Sequence, residues 1–249
     1  MPMPDLQAEP PAGALSADAA ALLDNPIWHA LGTEHNAIAL GHGQALRYPS
    51  HIGPLSGVPA QNPENYTALA ALAPGDIAVL FSLESFRFPA GWTVIRAFEL
   101  VQMVRTHCPL DRPEILSQAM RPLTPADAPA MVSLAELTEP GPFRLRTLEL
   151  GGFYGIFERD RLVSMAGRRL HLPGFTEVSG VCTHPDARGR GYAALLMSRV
   201  IREIEHEGKT AFLHAMAQNP AIRLYQHLGF TLRQTFHGIV LKPNPDPAA

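Results

Sequence analysis

The stretch from Glu177 to Glu207, EVSGVCTHPDARGRGYAALLMSRVIREIEHE, limits the possible folds more than any other part of the chain. Val178, Val181, Cys182 and Thr183 suit a pleated surface and predict a strand. His184-Pro185 ends it, because proline cannot donate to the ladder and restricts the residue before it. Ala193, Leu196, Met197, Val200, Ile201 and Ile204 then recur at spacings of three and four, which predicts one buried face of a helix closed by Gly208. Between strand and helix lies Arg188-Gly189-Arg190-Gly191-Tyr192-Ala193. A helix N-terminus carries unpaired N–H groups and partial positive charge, glycines let a ligand approach the backbone, and arginines add donors. The unit is therefore expected to bind an anion, most naturally a phosphate.

Three phosphate-binding devices compete for this turn. A Walker loop needs Lys followed by Ser or Thr, and neither is there. Gly189-Arg190-Gly191-Tyr192-Ala193-Ala194 fits the dinucleotide fingerprint, but the following strand runs into Gln218-Asn219-Pro220 without the acid that would hold a ribose. The third device is the pyrophosphate loop [Q/R]-x-x-G-x-[G/A], whose fixed positions are filled by Arg188, Gly191 and Ala193.

Here the sequence resembles the GNAT N-acetyltransferase superfamily, from about Leu123 to Lys242. Phrases such as LTEPGPF, MAG, FLHA and NPAIRLYQHLGF are similar to bacterial members of its glycine-acyltransferase-like branch. The resemblance implies an α/β fold with a mixed, splayed central sheet flanked by helices, acetyl-CoA as co-substrate, no metal, and direct transfer to a primary amine in a ternary complex. The acceptor would be a small amine, an amino acid or a protein amine. It further implies that Val181, Cys182 and Thr183 hold the pantetheine arm through their main chain. The N–H groups of Arg188, Gly189, Arg190, Gly191, Tyr192 and Ala193 would cradle the pyrophosphate. Arg188 is the expected side-chain donor, with Arg190 either joining it or staying in solvent. Tyr225 matches the general acid that protonates the leaving thiolate, Asn219 caps its helix or touches the coenzyme, and Glu177 stands where a carboxylate base is kept. Phe143, Arg144 and Arg146 fall on the acceptor loop, where arginines suit a carboxylate-bearing acceptor. His184 and His214 are further proton-relay candidates. Cys182 reads as a strand filler rather than a nucleophile. A non-catalytic coenzyme-binding sensor is the alternative reading.

Composition narrows the remaining classes. A net charge of −3 argues against a nucleic-acid partner. Two cysteines, Cys108 and Cys182, make neither a disulfide framework nor a zinc site. No apolar run approaches membrane-spanning length, the N-terminus lacks the basic region of a signal peptide, and a cytoplasmic protein is expected. A homodimer is an assembly open to it.

Along the chain, residues 1–14 are expected to form a disordered tail. Residues 15–116 should form a smaller α/β half, a degenerate acyltransferase half or a cover on the acceptor side. Residues 117–249 should form the acetyltransferase domain, with the boundary in the proline-rich segment between Thr106 and Pro125. Ser16, Asn65, Thr124 and Asn219 are predicted N-caps, with Asp127 answering Thr124 in a capping box. Met131, Leu134 and Leu137 are the expected inward stripe of the helix after Thr124.

Overall fold

The computed structural model describes residues 15–106 and 120–245. The expected tail 1–14, the boundary at 116/117, Cys108 and the last residues 246–249 lie outside them.

The described residues begin with two short helices, α1 (Ala17–Asp24) and α2 (Pro26–Gly32). The Ser16 hydroxyl accepts from the Ala19 N–H, the cap expected from sequence. A small three-stranded sheet follows, built from β1 (Leu40–His42), β2 (Ala45–Arg47) and β3 (Ser56–Gly57). Helix α3 (Pro63–Leu72) begins earlier than expected: Asn62, not Asn65, is its cap, and its side chain accepts from the Asn65 N–H.

The main sheet has eight strands. The first half of the chain supplies β4 (Ala78–Ser82) and β5 (Trp92–Arg105), and the second half supplies β6 (Met120–Pro122), β7 (Phe153–Glu158), β8 (Arg161–Leu172), β9 (Phe175–Thr183), β10 (Thr210–Met216) and β11 (Phe230–Pro243). Their order is β4-β11-β5-β10-β9-β8-β7-β6. The main sheet is therefore shared by the two halves. Strand β5 lies between β10 and β11, antiparallel to both. Strands β9 and β10 pair in parallel and are joined through α5 (Tyr192–His206).

Helix α5 turns Leu196, Met197, Val200, Ile201 and Ile204 onto the sheet, all fully buried. Each such side chain stabilises the fold by roughly 1.5–3 kcal/mol through area removed from water. Gly208 ends the helix at φ +71°, a left-handed geometry that glycine adopts without strain. On the other face, α1 and α2 bury Leu23, Ile27 and Leu31 against Leu172, Phe175 and Phe212.

Helix α4 (Ala128–Thr138) is entered through a 3-10 turn, Pro125–Asp127, closed by the reciprocal Thr124–Asp127 box. Met131 and Leu134 face the core, but Leu137 is 55% exposed, so the inward stripe is narrower than expected. Helix α6 (Ile222–His227) starts three residues after Asn219, whose side-chain oxygen accepts from the Ala221 N–H and closes the preceding turn instead of the helix itself. Among the described residues no helix is long and apolar enough to cross a membrane.

Candidate active site

Strands β9 and β10 pair only over Phe175–Glu177 and Thr210–Phe212, and then diverge. The cause is local. Opposite Met165 to Gly167 of β8, strand β9 carries an extra residue, a bulge at Gly180 with φ +62°. A Cβ at Gly180 would stand 2.7 Å from Cε1 of Phe153, so both the conformation and the close approach require glycine. Past Glu177, the edge of β9 that faces β10 has no strand partner among the described residues, and its main-chain groups open toward a cavity.

That cavity measures about 800 Å³. Val178, Ser179, Gly180 and Val181 of β9 line one side, and Leu213, His214, Ala215 and Met216 of β10 the other. The end of α4 and the loop through Phe143 cover it, and Asn219 and Tyr225 reach it from the turn and helix after β10. Phe143 is held edge-to-face on Phe153, with centroids 5.7 Å apart.

Tyr225 is 7% exposed and its hydroxyl has no hydrogen-bond partner among the described residues. Burial pushes its pKa up to about 12, so it keeps its proton at any physiological pH. The side-chain oxygen of Asn219 accepts from the Ala221 N–H, and the residue lines the cavity.

The turn after β9 runs through a 3-10 turn, Pro185–Ala187, to Gly189 and Gly191, both at φ +77°. The first bond back from α5 is Leu195 N–H to the Gly191 carbonyl. The N–H groups of Gly189, Arg190, Gly191, Tyr192 and Ala193 have no backbone partner among the described residues, whereas that of Arg188 donates to the Pro185 carbonyl. The five-donor row at the mouth of a helix fits the diphosphate of a coenzyme A ester. The two arginine side chains of the turn differ in what holds them. Arg190 is bound to Glu158 at 2.6 Å and to the Asp186 carbonyl, and the Tyr192 hydroxyl donates to the same Glu158 oxygen at 2.7 Å. Arg188 makes one long bond of 3.3 Å to the Thr183 carbonyl and is the freer cation.

Cys182 turns away from the cavity into a core with Leu123, Met131 and Phe153. Burial raises its thiol to about 11, which keeps it protonated and a poor nucleophile. The Thr183 hydroxyl is engaged by Ser164 at 2.8 Å.

Glu177 departs from its expected role as base. Its carboxylate is buried, receives two bonds of 2.8 Å from Arg169 and one of 2.8 Å from Nδ1 of His214, and is not part of the cavity wall. Burial works to raise its pKa, but the Arg169 charge and hydrogen bonds outweigh it and hold the carboxylate down at about 2. A carboxylate whose affinity for a proton is lowered, whose oxygens are saturated and which is walled off is a poor proton acceptor. His214 is pinned as well: Nδ1 faces Glu177, and Nε2 lies 3.1 Å from the amide nitrogen of Gln102. That amide is oriented by Arg233, which donates to its oxygen at 2.9 Å.

Arg144 and Arg146 lie on the expected loop but turn away from the cavity. Arg146 pairs with Glu149 and lies 3.0 Å from Nε2 of His51, while its N–H donates to the His51 carbonyl. Arg144 reaches toward Asp76 at 4.0 Å. Both fasten the loop to the first half of the chain and neither lines the cavity. The arginines that do are Arg169, neutralised by Glu177, and Arg96 on β5. Sequence reasoning missed Arg96 although Arg96, Phe98 and Leu100 alternate at period two, the mark of one strand face. No group of three or more His, Cys, Asp or Glu able to hold a metal occurs among the described residues.

A family model described as FR47-like protein matches residues 153–237. A GNAT-family acetyltransferase structure from Novosphingobium aromaticivorans is 36% identical over 89% of this chain and 98% of its own, with TM-score 0.82. A GCN5-related N-acetyltransferase from Kribbella flavida shares the fold at 15% identity and TM-score 0.53, over 89% of this chain and 96% of its own. No curated protein sequence matches. The splayed sheet, the open N–H row at the helix mouth and an identity of 36% over nearly the whole of a GNAT structure place this chain in the GNAT family of acyltransferases.

Proposed function

We propose that the protein transfers an acetyl group from acetyl-CoA to a primary amine by direct attack within a ternary complex. The thioester supplies an activated carbonyl and a thiolate leaving group. The N–H groups of Gly189 to Ala193 hold the diphosphate, assisted by Arg188, and the free edge of β9 from Val178 to Thr183 takes the pantetheine arm. An N–H near Val181 polarises the carbonyl as it gains negative charge. Tyr225 donates its proton to the departing sulfur. The amine attacks in its neutral form and loses its surplus proton to solvent, which also returns a proton to Tyr225, since the Glu177 carboxylate is occupied by Arg169 and His214 and lies outside the cavity wall. Holding both substrates in one cavity supplies much of the rate.

The juxtaposition of an unpaired, protonated Tyr225 hydroxyl with the splay of β9 and β10 carries this reading. Likeness of the LTEPGPF and NPAIRLYQHLGF phrases to glycine-acyltransferase-like proteins favours a small amine-bearing acceptor over a folded protein.

The test is thiol release from acetyl-CoA across a panel of amines at several pH values. The rising limb of kcat/KM should follow the pKa of whichever amine is used. A limb fixed at one pH for amines of different basicity would demand a protein base. Coenzyme binding without turnover of any amine would leave only a coenzyme-binding module.

A further inference from the structure

One wing of the cavity is built by the first half of the chain. Beyond Met216, strand β10 ends and the sheet continues as β5, β11 and β4. In register, Phe98 of β5, Gly238 of β11 and Phe81 of β4 form one row across the sheet. Arg96, Val240 and Val79 form the next row outward. All but Gly238 line the cavity. The Phe98 ring lies over Gly238, where an added Cβ would come within 2.1 Å of it. Phe81 packs on His214 with centroids 5.1 Å apart. The floor of this wing is therefore apolar and aromatic for two rows, and it ends in a guanidinium.

Arg96 is exposed to the cavity, its guanidinium 5.7 Å from the Phe98 centroid, with no hydrogen bond or ion pair to any described residue. The other cavity arginine, Arg169, is neutralised by Glu177. Arg96 is thus the uncompensated cation among the described cavity residues. It stands four residues, about 13 Å along the strand, from Leu100, which pairs with Met216 at the end of β10. On the β9 side of the cavity, where α4 packs, Glu136 of α4 and Glu139, the residue that follows it, also line the wall. Opposite charges on opposite walls, separated by an apolar floor, suit a zwitterion with its charges held apart.

We propose that Arg96 receives a carboxylate of the acceptor, and that the preferred acceptors are amines joined to that carboxylate by an apolar spacer. This rests on the cavity being the acetyl-transfer site. A guanidinium grips a carboxylate through two parallel bonds, and the Phe81–Phe98 floor accommodates the spacer. The first half of the chain therefore sets acceptor choice.

The experiment compares ω-amino carboxylates of increasing chain length with their carboxamides as acceptors, in wild type and Arg96→Gln. Wild type should favour the acid over the amide by about tenfold or more in kcat/KM, the yield of one charge-assisted contact. The advantage should grow with spacer length from the α-amino acid onward. In Arg96→Gln the acid-to-amide ratio should fall to about one, with the Kd for acetyl-CoA unchanged. Equal use of acids and amides by wild type, or a preference that survives in Arg96→Gln, would overturn the assignment while leaving acetyl transfer standing. Coenzyme binding with no amine acetylated would overturn the transfer reading, and this one with it.

Discussion

At the scale of single residues, the site separates a group that keeps its proton from one that has lost it. Tyr225 holds its proton up to about 12 because burial penalises the phenolate. Across roughly pH 6–10 its hydroxyl contributes no falling limb to the rate profile. Tyr225→Phe should lower kcat by about a hundredfold, the lower range for a lost general acid, and leave the acetyl-CoA Kd alone. Single-turnover acetylation checks the first and titration calorimetry the second; full activity would reduce Tyr225 to packing. Glu177 is the converse. Its folded pKa, about 2, lies below the usual 4.5. Its contribution to stability is thus fully present above pH 4.5 and is lost as the pH falls toward 2. Glu177→Gln leaves Arg169 buried without its counter-charge, and should cost about 3–5 kcal/mol at neutral pH. Urea unfolding at stepped pH should show that gap narrowing in acid. The variant's residual activity should keep the wild-type pH dependence; a flattened profile would restore Glu177 as the base.

At the scale of elements, α5 was legible because its stripe repeats every three to four residues and the glycines around it punctuate the chain. Thr124 and Asp127 likewise announced α4 through a local reciprocal bond. What stayed hidden depends on contacts distant in sequence. Val178-Ser179-Gly180-Val181 reads as uninterrupted strand, and the bulge shows only when β8 is laid beside it. Arg169 and Glu177 give no local sign of pairing, since each sits in an ordinary strand pattern. Arg144 and Arg146 were placed correctly on the loop, but which way the loop leans is decided by its bonds to His51 and Ile52. The bulge is what opens the sheet, so it should be sensitive to a single methyl group. Gly180→Ala combines a left-handed φ with a contact of 2.7 Å to Phe153, and should cost about 1–3 kcal/mol while weakening acetyl-CoA binding. Gly189→Ala shares the left-handed φ but has nothing within 4 Å of the added Cβ, and should lose less stability. Thermal melts with and without acetyl-CoA compare the two; equal losses would mean that the close approach at Gly180 is immaterial.

At the scale of the molecule, the proline-rich segment before Pro125 invites division into two domains, yet the sheet crosses that division. Residues 153–237, which match the FR47-like family model, contain β7 to β10 and half of β11 but not the strand that separates β10 from β11. That strand is β5, and a stretch contributed from so far upstream has no local signature of its partners. It binds β10 through Leu100–Val104 and β11 along nearly its whole length. Polar ties cross with it: Arg233 donates to the Gln102 side-chain oxygen at 2.9 Å and pairs with Asp24 at 2.6 Å, and Arg105 pairs with Glu205 at 2.7 Å. A fragment of residues 117–249 would expose the edges of β10 and β11, uncover Phe212 and Phe175, and leave Arg105's partner Glu205 alone. Unpaired edges of this length favour association over folding. The fragment should therefore show no cooperative melt and no acetyl-CoA binding by calorimetry, and co-expression with residues 1–116 should restore both. A cooperative, coenzyme-binding fragment would mean that β10 and β11 can close without β5, and that the first half serves only to shape the acceptor wing.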